Sequence, residues 1–96
     1  MYARVARWEG GDADNIRQAT DEIKEQASDG PPDDLPAKGL LLLRDPDNGR
    51  VMTVSLFETE DDLRQGDQTL NEMNPPGDVG NRSGVEKYEV VADIRV

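Results

Sequence analysis

Gly39-Leu40-Leu41-Leu42-Leu43, then Asp45-Pro46-Asp47-Asn48-Gly49, then Val51-Met52-Thr53-Val54-Ser55-Leu56-Phe57, read together as two strands and the tight turn that joins them. The first run is the most apolar in the chain. The second is dense in turn formers: Pro46 fixes its own φ, and Asn48-Gly49 accepts φ > 0. The third is rich in β-branched and apolar residues, which suit a pleated surface. Side chains alternate across a strand, so Leu40 and Leu42 fall on one face and Leu41 and Leu43 on the other. Met52, Val54 and Leu56 separate in the same way from Val51, Thr53, Ser55 and Phe57. Both faces of the hairpin are apolar, and both call for cover. The Thr53 and Ser55 face is the more polar, so it is expected to meet a partner and the aliphatic set to meet helices.

Upstream, Tyr2 to Trp8 reads as a strand with Tyr2, Arg4, Ala6 and Trp8 on one face and Ala3, Val5 and Arg7 on the other. Apolar residues on both faces mark a central strand. Glu9-Gly10-Gly11 ends it. Asp12 or Asp14 can cap a helix running to about Ser28, with Ile16, Thr20, Ile23 and Ala27 as its inward stripe. Asp29 to Pro36 is a stiff, exposed connection.

Downstream, Thr59-Glu60-Asp61-Asp62 is a helix start, with Thr59 as cap and carboxylates at the positive end of the dipole. Leu63, Leu70 and Met73 form the stripe of this second helix. Gly66 inside it either permits close packing or weakens the helix. Asn74 to Gly84 reads as a loop. Val85 to Val96 reads as a long strand, with Tyr88, Val90, Ala92, Ile94 and Val96 on one face.

The order strand, helix, strand, strand, helix, strand predicts an α+β, ferredoxin-like βαββαβ fold over residues 1–96 as a single domain. Two helices cover one face of the four-stranded antiparallel sheet. The other face has no cover within the chain and predicts a two-fold homodimer.

The 96 residues include no cysteine and no histidine. Disulfides and thiolate metal sites are excluded, as are the commonest general base and the usual proximal haem ligand. The net charge of -10, from 21 acidic and 11 basic residues, disfavours nucleic acid and anionic membranes. Asp outnumbers Glu, and the only lysines are Lys24, Lys38 and Lys87. Such a surface fits either a saline cytoplasm, where self-repulsion is screened, or an ordinary acidic protein of a GC-rich genome. With no basic n-region and no long apolar stretch, a cytoplasmic location is expected.

The opening Tyr2-Ala3-Arg4-Val5, the hairpin Gly39 to Leu43 with Gly49 to Leu63, and the closing Val85-Glu86-Lys87-Tyr88-Glu89-Val90 resemble the antibiotic biosynthesis monooxygenase-like family of the dimeric α+β barrel superfamily. The resemblance spans nearly the whole chain and implies the same dimeric fold. The family holds cofactor-free quinone-forming monooxygenases and haem-degrading enzymes. The haem degraders use an asparagine on the first strand, a tryptophan on the second helix and a histidine near that helix's end. Here strand one has no asparagine, the tryptophan position falls near Gly66, and histidine is absent. No cofactor is therefore expected. The quinone-forming members rely on polar and aromatic groups around a pocket between sheet and helices, for which Trp8, Tyr88, Arg4, Arg7 and Asn71 are candidates.

Two function classes stay open. One is a cofactor-independent monooxygenase-like enzyme acting on a small aromatic or quinol-like compound. The other is a non-catalytic small-molecule-binding or stress-related protein of the same fold. Trp8 suits a pocket mouth or an ordinary core; Tyr88 suits a donor to a bound phenol or an interface. Arg4 and Arg7 point to opposite faces, so one pocket can hold only one of them. A buried arginine needs a partner, for which Glu86 or Glu89 is available. Asp33-Asp34 and Glu60-Asp61-Asp62 resemble paired metal carboxylates, though capping and solvation explain them more simply. Gly77, Gly80 and Gly84 match no phosphate-loop spacing.

Lacking histidine and cysteine, the protein is expected to bind no haem tightly. In a haem titration there should be no sharp Soret shift at one equivalent that survives gel filtration. Such a band would overturn the expectation and direct attention to Tyr2 or Tyr88 as the ligand.

Overall fold

The chain runs β1 (Tyr2–Gly10), α1 (Ala13–Ala27), β2 (Gly39–Asp45), a short 3-10 turn (Pro46–Asn48), β3 (Arg50–Phe57), α2 (Glu60–Glu72) and β4 (Gly80–Glu89). The computed structural model describes residues 1–30, 32–73 and 78–96. The strands form one antiparallel sheet in the order β2-β3-β1-β4. With two helices in the order β-α-β-β-α-β, this is the ferredoxin-like α+β fold expected from the sequence. β1 is central, paired with β3 from Tyr2–Phe57 to Glu9–Arg50 and with β4 from Tyr2–Glu89 to Gly10–Gly80.

Local chemistry sets the element ends. Pro46 opens the 3-10 turn, and Gly49 closes it in the left-handed region at φ 66°. A side chain at Gly49 would also come within 2.9 Å of the Gly11 carbonyl, so two constraints demand glycine there. The Asp12 carboxylate caps α1 by accepting from the Asp14 and Asn15 amides. The Thr59 hydroxyl caps α2, accepting from the Asp62 amide at 3.1 Å.

Ile16 and Ala19 of α1 pack on Val51 and Val79, with Trp8 and Leu42 around them. Helix α2 packs on Phe57, which is fully buried. A Cβ at position 66 would overlap the Phe57 ring, so Gly66 is a notch that receives it. Close packing is thus the reason for that glycine.

Several sequence expectations need correction. The helices cover Val51, Ser55 and Phe57, all buried, while Met52, Val54 and Leu56 lie on the open face and are only half-buried. The expected assignment is reversed because one large ring, seated in the Gly66 notch, turns every second residue of β3 with it. β1 continues through Glu9 and Gly10 rather than breaking there. β4 starts at Gly80, inside the expected loop, and stops at Glu89. Its ladder needs Gly80, where a side chain would collide with the Glu9 backbone. It also takes a bulge at Ser83, which has no residue opposite it while Gly84 and Arg82 face Arg7 and Trp8. The rest of the expected loop, 74–77, lies outside the described residues, as does Pro31 in the earlier connection. On α1, Ala19 joins Ile16 and Thr20 in the buried set, Ile23 is half-buried and Ala27 is exposed. Met73 lies just past α2 and is exposed.

Register places Ala3, Val5 and Arg7, Leu41 and Leu43, Met52, Val54 and Leu56, and Glu86 and Tyr88 on the face away from the helices. Leu41 is 55% exposed and Leu43 47%.

Replacing Gly66 with Ala should destabilise the fold by about 1–3 kcal/mol through overpacking, although Ala is the better helix former. Urea unfolding should show that cost shrinking in a Phe57→Leu background. An equal cost in both backgrounds would rule out the ring as its cause.

Candidate functional site

The side chains that converge most closely lie between α2 and the two strands β1 and β4. Alternation puts Arg4 on the helix-facing side of β1, where it is only 3% exposed. Its Nε donates to Asp67 Oδ1 at 2.8 Å and one terminal nitrogen donates to Asn71 Oδ1 at 3.0 Å. Asp67 and Asn71 stand one turn apart on α2, so one face of the helix presents both. From β4, Lys87 lies opposite Arg4 in the ladder and reaches Asp67 Oδ2 at 3.0 Å. Arg82 donates to Asn71 Oδ1 at 2.8 Å.

Three cations thus share one carboxylate and one amide oxygen in direct contact. The local surplus is positive in a chain whose net charge is -10. Burial raises the Asp67 pKa, but hydrogen bonds from Arg4 and Lys87 outweigh it and hold the carboxyl below the usual Asp value. Among the described residues no buried side-chain nitrogen or oxygen lacks a partner. Chemically, such a cluster can hold an anion or stabilise negative charge as it develops on a bound group.

A second network occupies the opposite face. Arg7 Nε donates to Glu86 Oε1 at 2.6 Å, and the Tyr88 hydroxyl donates to the other oxygen of Glu86. The hydrogen bonds from Tyr88 and then Arg7 hold Glu86 below the ordinary Glu value. The same bond to Glu86, with burial adding to it, raises Tyr88. Its phenolic proton is committed to Glu86.

Of the five residues named from sequence, Arg4 and Asn71 meet in the first network and Arg7 and Tyr88 in the second. Trp8 stands apart: it packs on the Ile16–Val51 core and also lines a shallow depression of about 220 Å³ beside Arg7, Leu43 and Arg50. The partner expected for a buried arginine was Glu86 or Glu89; Arg4 takes Asp67 instead, and Glu86 serves the exposed Arg7. Asp67, Arg82 and Lys87 were not singled out in the sequence. Asp67 did leave a signal, because it falls on the inward stripe of α2 between Leu63 and Leu70.

The other motifs resolve structurally. Glu60 and Asp61 pair with Arg64 on α2. The Asp34 carbonyl accepts from Gln65 and Thr69. Among the described residues no group of three or more carboxylates could hold a metal, and no helix is long and apolar enough to cross a membrane. Gly80 and Gly84 are strand residues, and Gly77 lies outside the described residues. Compared with known proteins, the chain matches no family model and no curated protein.

A carboxyl whose pKa is lowered by folding adds stability that is complete above its unfolded pKa, about 3.9, and is lost as pH falls through the lower folded value. Asp67→Asn should therefore cost about 3 kcal/mol at pH 7, where Arg4 loses its buried partner, and progressively less as pH falls below the ordinary Asp range. Urea unfolding at pH 7 and at a series of acid pH values measures the difference. A gap that did not change with pH would exclude the carboxylate charge as its source.

Proposed function

We propose that this chain works as a homodimeric α+β barrel and as a cofactor-independent, monooxygenase-like enzyme, in the cytoplasm, on a small aromatic or quinol-like compound. The observation that carries the chemical reading is the cationic surplus of Arg4, Arg82 and Lys87 around Asp67 and Asn71. A phenolic compound with an activated ring methylene reacts with dioxygen through its anion, and nearby cations favour that anion. The methylene becomes a carbonyl, taking one oxygen atom; the second oxygen leaves as water with both methylene hydrogens. The substrate supplies the electrons, and the protein supplies position and charge.

The open sheet face supports the dimer. Its side chains are mostly Ala3, Val5, Leu41, Leu43, Met52, Val54 and Leu56, and its paired Arg7 and Glu86 neutralise each other. In a chain of net charge -10, this neutral face is where two copies can approach without bringing their acidic surfaces together. Four strands about 4.8 Å apart and about eight residues long present roughly 500 Å² in projection. Side-chain relief brings that toward the roughly 800 Å² per partner of a standard interface.

One observation favours a second reading, a non-catalytic small-molecule-binding protein: Asp67 and Asn71 already take hydrogen bonds or ion pairs from all three cations. An oxygen electrode separates the two. With such a phenol as probe, the enzyme reading expects one dioxygen consumed per quinone formed. It also expects at least a tenfold loss in an Arg82→Gln, Lys87→Gln double variant, in which both exposed side chains lose their charge and buried Arg4 keeps Asp67. Saturable binding without oxygen uptake selects the second reading, and neither binding nor uptake removes both.

A further inference from the structure

Acidic residues outnumber basic ones 21 to 11, so carboxylates are plentiful partners for every arginine. Seven of the eight arginines pair with one. Among the described residues Arg82 pairs with none. Its one hydrogen bond there runs from a terminal nitrogen to the Asn71 amide oxygen at 2.8 Å. Its Nε and other terminal nitrogen make no hydrogen bond among the described residues, and together they form one complete edge of the guanidinium fork.

The strand is bent to put Arg82 there. Lys87 and Val85 lie on the helix side of β4, opposite Arg4 and Ala6. Strict alternation would continue that side through Ser83 and turn Arg82 to the open face. The bulge at Ser83 shifts the register, so Arg82 lies opposite Trp8, on the side where α2 presents Asn71. The helix side of β4 then reads Arg82, Val85, Lys87, two exposed cations with a half-buried apolar residue between them. Asn71 completes the imbalance. Its Oδ1 accepts from both Arg4 and Arg82. An aspartate of the same shape would bring a charge to them; the neutral amide holds both guanidiniums and cancels neither. Lys87 shares the Asp67 carboxylate with Arg4, so three cations against one carboxylate leave a surplus of two.

We propose that Arg82 and Lys87 receive the carboxylate of a small organic acid, and that Asn71 is neutral so that the ligand supplies the missing charge. The inference rests on the reading of this cluster as the ligand site and names a group the ligand brings to it. The edge of a guanidinium matches the two oxygens of a carboxylate in one plane. Val85, between the two cations, suits an apolar body behind that carboxylate. The net charge of -10 repels an acidic macromolecule as a whole, whereas a small acid meets the local surplus at short range.

Titration calorimetry at pH 7 and fixed ionic strength compares 4-hydroxybenzoate with 4-hydroxybenzamide, which keeps the ring and loses the charge. The acid should bind saturably and at least about tenfold more tightly than the amide. Arg82→Gln should remove that preference. Arg64→Gln changes the net charge equally elsewhere on α2, where Arg64 pairs with Glu60 and Asp61, and should keep it. Asn71→Asp separates a ligand role from a structural one, because its two readouts move apart. The added carboxylate pairs with Arg4 and Arg82, so the urea midpoint should hold or rise while binding of 4-hydroxybenzoate weakens at least about tenfold. Failure of the acid to bind, an amide that binds as tightly, or an Asn71→Asp protein that binds the acid unchanged would overturn the carboxylate site. A midpoint lowered by Asn71→Asp would overturn it too, by showing that the cluster has no charge to spare. The phenol reading does not fall with it, since oxygen uptake with an uncharged phenol tests that by itself.

Discussion

The Phe57 ring occupies the space where residue 66 would carry a side chain. That contact fixes how close α2 comes to the sheet, and much of the remaining arrangement follows from it. Asp67 is the next residue along α2, so seating the notch brings its carboxylate to Arg4; Asn71 follows one turn later. Seating Phe57 inward also seats Val51, Thr53 and Ser55 inward, and leaves Met52, Val54 and Leu56 to the opposite face. One aromatic–glycine contact therefore determines both the cationic cluster under the helix and the apolar surface on the far side.

Features governed by short-range chemistry were legible in the sequence. Pro46 and Gly49 define the turn, and Asp12 and Thr59 define two helix starts, because each acts through its own backbone or a neighbour's. The direction of β3 was not legible from average polarity. Ser55 is buried opposite Arg4 while Val54 is left half-exposed, since the choice is made by a notch on a helix elsewhere in the chain. β4 was misplaced for a related reason. Gly80 and Gly84 resemble loop residues locally, but Gly80 is required where two backbones nearly touch. At the site, Arg4 and Asn71 could be named in isolation. Asp67 gains its meaning only when the helix stripe is laid over the strand.

The two ion networks lie on opposite sides of β1, drawn from Arg4 and Arg7 three residues apart. They differ in kind. Arg4 is buried and tied to a helix, so loss of its partner strands a charge away from water. Arg7 is exposed and paired across two strands, where water screens it and its contribution to a single chain is small. Pairing it with Glu86 still matters for the surface, because it cancels the charge in the middle of an otherwise aliphatic face.

The central position of β1 has a consequence for how the chain comes to be ordered. Its two neighbours in the sheet begin only at Arg50 and Gly80. β1 must therefore wait for partners that lie far along the chain, and only β2 and β3 can pair through a local turn. Closing such long loops is what slows a topology rich in distant contacts. While the chain is being made, β1 stays unpaired until β3 has followed and keeps one open edge until β4 has, and during that interval acidic self-repulsion is a safeguard against premature association.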